Sequence, residues 1–411
     1  MGEAATWDVV VIGAGPGGGS AALHCARLGL RTLILEEHSE IGTPVHCGEC
    51  LSDLAVQNLD LNLPEKVISL HVKGIRVLFP NGVKKKLTEP GYVLEKHLFE
   101  RWLIDEAIKE GAEFHNSHKV TNLNKNFKLE NQFSNWEIEG KGELFPISAK
   151  IIIDASGVAG VSSKILKNSE PIEVIAGFQY EMVEIENDGY LDFYIWPKYA
   201  PHGYVWMIPK NRGRANVGLV TTEKKGAIKF LDTFIEDTYL HQKEKIEPEW
   251  RTSSRKVKPF GGTIPISGPR NNTIDDGLIM IGDAAGFTSP LFEGGSHLAM
   301  KSGKYAAEVA AKVIAKGVYN KNELKEYEKL WKAEFPPYHK ILKGKNALYD
   351  LSEDELAIMG SCMPDEMNGM SIVTKMGVGF KILIKKPSLM RKKVISVLLS
   401  FGYSRAKFYG W

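Results

Sequence analysis

At 411 residues and 43% hydrophobic, the chain is long enough to bury one large core or two ordinary ones. Its charge is balanced, 52 basic against 50 acidic residues, which excludes a polyanion binder and so a nucleic-acid partner. The four cysteines, Cys25, Cys47, Cys50 and Cys362, are too few and scattered for a secreted disulfide framework, and no apolar run reaches the ~20 residues that span a bilayer.

The opening MGEAAT fits a myristoylation pattern, but a strand predicted from Trp7 leaves almost no free arm to present it. No signal peptide opens the chain, so a reducing, intracellular compartment is expected. Trp7–Ile12 reads as a buried parallel strand running into Gly13-Ala-Gly15-Pro-Gly17-Gly18 and then a helix rich in small residues. Gly13 permits the tight turn, Gly15 lets backbone approach a pyrophosphate, and Gly18 lets helix and strand pack closely. The diphosphate belongs on the helix N-terminus, where free N–H groups favour anions. A second strand, RTLILE, ends at Glu36, where a carboxylate accepts the ribose hydroxyls of an ADP moiety. This pattern predicts a dinucleotide site without separating NAD from FAD.

PVHCGECLS follows, with Cys47 and Cys50 three residues apart. The spacing suits a redox dithiol, half of a metal or cluster site, or a tight turn. Zinc and iron–sulfur sites need a second pair, which Cys25 and Cys362 do not form. The dithiol stays open, since C-x-x-C spacing can lower a thiol pKa.

Residues 67–93 and 171–255 alternate apolar and polar positions between Gly, Pro and Asn breaks, as antiparallel strands do. In GYVWMIP, Tyr204 and Trp206 share a face at period two, where they line an apolar tunnel or serve as core aromatics. Farther on, DGLIMIGDAAG is another buried strand, ending in Gly282-Asp283 before a second glycine cluster and a long Ala-rich helix. An Asp at a strand end can hold the ribityl hydroxyls of a flavin, and a helix N-terminus near Gly294-Gly295 can face the flavin N1 edge. These features favour FAD.

Residues 331–411 read as helical, and no acidic residue follows Glu366. Lys375, Lys381, Lys385, Lys386, Arg391, Lys392, Lys393, Arg405 and Lys407 fall in that stretch. A basic amphipathic segment over Phe380–Phe401, broken at Pro387, suits an anionic membrane surface, the alternative being a solvated charged face. Phe408, Tyr409 and Trp411 are expected at that interface. Because every flavin candidate precedes Ile314, the tail is expected to be separable from the cofactor site.

The N-terminal fingerprint, FERWLIDEAIKEGAEF, DASG, GGTIP and GDAAGFTSPLFEGG occur in an order that resembles the geranylgeranyl reductase family, over about Trp7 to Ile314. That family shares the fold of p-hydroxybenzoate hydroxylase and uses FAD to saturate isolated double bonds of prenyl chains, in archaeal ether lipids or in chlorophyll and quinone side chains. The resemblance implies that Arg101 pairs with the FAD diphosphate or ribityl region and that Val120 meets the adenine by its backbone. It implies that Asp283 holds the ribityl chain or diphosphate and that Gly295 with Ser296 borders the isoalloxazine. Cys47 and Gly48 match the family's PVRCGEG-like stretch against the flavin; His46 and Cys50 depart from it, replacing an arginine and a glycine.

The expected fold is α/β (α+β overall), a Rossmann-like FAD-binding domain (residues 1–66, 94–170 and 256–330) with an inserted antiparallel-sheet substrate domain (67–93 and 171–255) and a basic helical segment (331–411). The expected function is a lipid prenyl reductase, peripheral to the cytoplasmic face of the membrane. Hydride from reduced flavin N5 goes to one alkene carbon, and Cys47, Tyr204 or an ordered water protonates the other. Cys47 is the candidate catalytic residue; Cys47, Gly48 and Cys50 border the flavin. No second G-x-G-x-x-G is present, so the electron donor, a ferredoxin, NAD(P)H or another, stays open. A monooxygenase or halogenase of the same fold, a quinone-linked flavoprotein dehydrogenase and a non-catalytic lipid carrier are the alternatives.

Overall fold

A computed structural model describes residues 6–45, 47–127, 132–164, 171–223, 225–240, 257–368 and 370–411. Val9, Val10 and Val11 have no exposed surface, as a parallel strand covered on both faces requires. Their strand, Trp7–Ile12, pairs in parallel with Thr32–Leu35 on one side and Ile147–Asp154 on the other. Leu278–Met280 extends the sheet in parallel beside Ile147–Asp154, with Ile274–Asp275 antiparallel at that edge, and Glu113–His115 adds in parallel at the other end. The helices Pro16–Arg27 and Ser296–Lys316 pack on each other against it, their contact built from buried Ala, Gly and Ser that allow close approach.

A second sheet of seven strands runs Val257–Pro265, Val174–Met182, Ala215–Val220, Tyr204–Pro209, Tyr190–Tyr194, Gly74–Leu78, Lys84–Leu87. It is antiparallel except where Tyr190–Tyr194 lies parallel to Gly74–Leu78. Alternation sends Val205 and Met207 into a small core under the helix Ala227–Ile235, while Tyr204, Trp206 and Ile208 face the main core.

The structure corrects two boundaries. Val257–Pro265 pairs with Val174–Met182, so the inserted sheet takes in residues up to Pro265 that the sequence assigned to the FAD-binding part. Residues 67–93 also divide between sheets, since Ile68–Val72 joins Gly91–Leu94 and Cys50–Ser52 in a separate three-stranded sheet. Pairing between segments distant in sequence decides both points, and alternation does not report it.

The tail is helical, and its last turn folds back. Val394–Tyr403 packs on Tyr338–Tyr349, Ala406–Tyr409 sits on Asp53–Asn58, and Ser52 donates its N–H to the Gly410 carbonyl at 2.9 Å. Tyr409 is 1% exposed, which overturns its expected interfacial place. Apolar burial against the sheet domains outweighs the interfacial preference of the aromatic rings.

Candidate active site

The first loop is built around a close contact. A Cβ on Gly18 would lie 1.9 Å from the Gly13 carbonyl oxygen, so only glycine lets helix and strand meet there. Gly15, the N-cap of Pro16–Arg27, shows the reverse: a Cβ there would meet no protein atom within 4 Å. It faces open cavity, together with Pro16 and Gly17. Behind the loop, the Glu36 carboxylate accepts the Ala14 N–H at 2.8 Å and the His38 N–H at 3.0 Å.

The main cavity, about 600 Å³, lies between this loop and the seven-stranded sheet. Gly15, Gly17, Cys47, Gly48, Cys50, Tyr204, Trp206, Asp283, Gly295 and Ser296, all expected from the sequence, line it together. Its apolar wall is an aromatic cluster. Phe292 lies 5.4 Å from both Phe193 and Tyr204, centroid to centroid, and Tyr204 lies 5.8 Å from Trp206. At the opposite corner half-buried Asp283 accepts from the Thr288 hydroxyl at 2.6 Å. Burial raises its pKa, while Thr288 and the Lys96 charge pull it down. Gly295 caps the helix Ser296–Lys316 beside it.

Of the remaining expectations, Gly13 and Gly18 shape the loop from behind. Val120 is buried at the start of Lys119–Phe127, opposite Gly140 and outside the main cavity lining. Arg101 is exposed and lines a separate cavity of about 310 Å³ with Ser39, Glu40 and Asn116. The helix Lys96–Lys109 turns the Arg101 side of its surface outward, and Phe99, Leu103 and Ile104 inward.

Two kinds of comparison identify the chain. A model of the geranylgeranyl reductase catalytic domain matches residues 173–249, and one of FAD dependent oxidoreductases matches residues 8–164. The digeranylgeranylglycerophospholipid reductase of Methanocaldococcus jannaschii is 35% identical over 401 residues, 94% of this chain and 97% of the relative. The chain belongs to the geranylgeranyl reductase family. This reductase also matches the solved structure of a geranylgeranyl bacteriochlorophyll reductase-like protein from Thermoplasma acidophilum, with TM-score 0.81 and 29% identity over 95% of this chain and 99% of that one. The flavin-dependent brominase Bmp2, with TM-score 0.67 and 21% identity over 96% and 93%, shares the fold. The reductase is an FAD-dependent oxidoreductase, and the open space at Gly15 fits a dinucleotide diphosphate lying against the helix N-terminus.

The cysteine turn of the reductase is held from three sides. Glu49, at φ 71°, donates its N–H to Cys47 Sγ at 3.3 Å, and the Cys50 thiol donates to the Gly48 carbonyl at 3.5 Å. The Glu49 carboxylate is buried and takes hydrogen bonds from Lys210 Nζ at 2.8 Å and Asn216 at 2.6 Å on the neighbouring sheet. Lys210 also reaches Glu95, which pairs with Arg214. Both thiols are free. Burial, then Cys47 and Glu49, push the Cys50 thiol well above its usual range, so it stays protonated and disfavours the dithiol reading. His46 lies outside the described residues.

Sequence reasoning missed Gln179, Phe193, Phe292, Glu293 and Trp411, which also line the cavity. Glu293 had a local signal, a carboxylate inside PLFEGG between an apolar run and paired glycines. Trp411 had none.

Proposed function

We propose that this reductase saturates isolated double bonds in the geranylgeranyl chains of a membrane glycerophospholipid. The observation that carries the reading is one cavity in which the Gly15–Gly17 loop and the Asp283–Gly295 corner face the wall of Phe193, Tyr204, Trp206 and Phe292. Hydrocarbon offers no hydrogen bonds, so burial against such a wall, at ~25 cal/mol per Å², is what can hold a prenyl chain. The name of the Methanocaldococcus jannaschii relative, a digeranylgeranylglycerophospholipid reductase, supports the substrate class.

In this reading Gly15, Gly17 and the N-terminus of Pro16–Arg27 hold the FAD diphosphate, Glu36 the adenosine ribose, and Asp283 the ribityl chain. Gly48, Gly295 and Ser296 border the ring, and Cys47 and Cys50 shape the pocket beside it. Bound and reduced, FAD supplies a hydride. The protein's own share is to align the alkene, exclude water and deliver a proton, because an isolated trisubstituted alkene is a poor electrophile. A halogenase-type reaction is the rival on this fold. Anaerobic addition of geranylgeranyl lipid to the reduced protein tests the choice: oxidised flavin absorbance returns with lipid alone if the protein is a reductase. If it returns only on admitting oxygen, the reductase reading fails, and an oxygenated or halogenated product would then establish the rival.

The same reading places the protein peripherally on an anionic, cytoplasmic-facing membrane. Among the described residues no helix is long and apolar enough to cross one. The helix Ile372–Lys385 instead buries Val378 and Ile382 and exposes Val373 (79%), Met376 (70%), Phe380 (64%) and Ile384 (65%) along its other face. Exposed Lys375, Lys381 and Lys385 lie on the same helix, an arrangement suited to apolar insertion with lysines at the headgroups.

A further inference from the structure

The reaction needs a proton donor, and the cavity holds a carboxyl that the sequence reading did not consider. Glu293 lines it between Phe292, in the aromatic wall, and the Gly294–Gly295 turn at the helix N-terminus. Its backbone sits at φ 50°, a left-handed conformation uncommon for glutamate and costly to hold. Its Oε2 is shut off from bulk solvent and has no protein partner.

The surroundings favour a neutral carboxylic acid. Tyr204, Tyr349 and Lys345 act on it electrostatically from the surrounding elements. Burial is the largest influence and raises the Glu293 pKa above the usual carboxylate range, with the Tyr204 contact and the Lys345 charge opposing it. Lys345 is itself buried, and burial holds it below its ordinary value against the opposing Glu293 charge. Two other cavity donors are poorer, since burial drives both the Tyr204 phenol and the Cys50 thiol well above their ordinary ranges.

We propose that Glu293 is the general acid that protonates the alkene, with Tyr204 as its positioning partner. The assignment rests on the prenyl-reductase reading above. One alkene carbon gains a hydride, two electrons and a proton, from the reduced cofactor. The π pair forms the second C–H bond with the Glu293 proton, whose O–H electrons remain on the carboxylate. Solvent restores the proton after release of the saturated chain.

Single-turnover saturation of geranylgeranyl lipid by the reduced holoenzyme tests this with Glu293→Gln, which preserves shape and removes the acid. The rate should fall about 10²-fold or more with FAD content unchanged. The wild-type rate should be flat at low pH and decline as pH rises through the Glu293 pKa, because the acid must be protonated, and the variant should lack that decline. Infrared difference spectra of the resting protein supply a readout independent of turnover. A protonated-carboxyl band that titrates in the wild type should be absent from Glu293→Gln. A variant that keeps the wild-type rate and alkaline decline, or an identical carboxyl band in both proteins, overturns the assignment. A wild type that saturates no prenyl lipid overturns the function reading along with it.

Discussion

The Trp206 indole N–H donates to Gln179 Oε1 at 2.9 Å. The Gln179 amide in turn donates to the Cys47 carbonyl at 3.0 Å, tying the substrate wall to the cysteine turn across the cavity. Gln179→Leu keeps the volume and orphans both partners, each at about 1–3 kcal/mol if no water replaces the bond. The expected result is a lower urea midpoint, a shifted Trp fluorescence maximum and slower turnover with FAD still bound. An unchanged fluorescence maximum contradicts the relay.

Lys210 joins Glu49 to Glu95 with 2% of its side chain exposed. Lys210→Met leaves two carboxylates facing each other in a buried site, and breaking such a pair from one side costs about 3–5 kcal/mol. Adding Glu49→Gln should recover part of that loss, because it removes one of the stranded charges. Chemical denaturation of the single and double variants measures it. A double variant less stable than the single one would show that Glu49 acts independently.

Glu95 gives the pH dependence. Burial alone would raise its pKa, but hydrogen bonds from Arg214 and Lys210 prevail and hold it near about 2, against an ordinary 4.5. A carboxyl lowered in the folded state contributes stability that is fully present above the unfolded pKa and is lost as pH falls through the folded one. The wild type should therefore lose stability from about pH 4.5 down to about 2, and Glu95→Gln should flatten that decline. Thermal unfolding of both proteins across this range checks the sign.

Much of this site is legible in the sequence because its signals are local. The G-x-G-x-x-G loop, the strand ending at Asp283 and the period-two pair Tyr204 and Trp206 lie within short windows, and backbone geometry carries such windows to one face. Apart from Glu293, whose signal inside PLFEGG is local, what was missed is non-local. The strand Val257–Pro265 finds its partner about eighty residues upstream, and Trp411 reaches the cavity only because Ala406–Tyr409 docks on Asp53–Asn58. Arg101, placed by motif, sits on the outer side of its helix and lines a separate cavity with Ser39, Glu40 and Asn116.

The two cysteines should differ in their effects. Cys47→Ala is expected to reduce turnover more than Cys50→Ala, because the Cys47 segment is braced by Gln179 while the Cys50 thiol, its pKa well above the usual range, stays protonated. Mild oxidation followed by mass spectrometry should find no Cys47–Cys50 disulfide. A quantitatively trapped disulfide, with equal and near-complete loss in both variants, would restore the dithiol reading.

The tail is not separable from the cofactor site as its sequence suggested. Truncation after Gly377 removes buried Val394, Val397 and Tyr409 together with Trp411, so FAD and solubility should be lost together. Membrane docking is better tested by Phe380→Glu with Ile384→Glu, both exposed. Flotation on anionic liposomes should fall while FAD content holds. Charge reversal at Lys381 and Lys385 should weaken binding further, by at least about 1 kcal/mol per lysine at low salt and less as salt rises. Undiminished flotation of the apolar-face variant would rule out docking through this helix.

If the aromatic cavity holds a prenyl chain for reduction, the lipid itself should change mass. The most direct measurement is the mass of a digeranylgeranyl glycerophospholipid after anaerobic incubation with the dithionite-reduced protein. The expected result is stepwise gain of one H₂ per double bond, abolished by Trp206→Asp, which puts charge into the wall. Lipid recovered unchanged from FAD-replete protein, or altered only after oxygen is admitted, would contradict it.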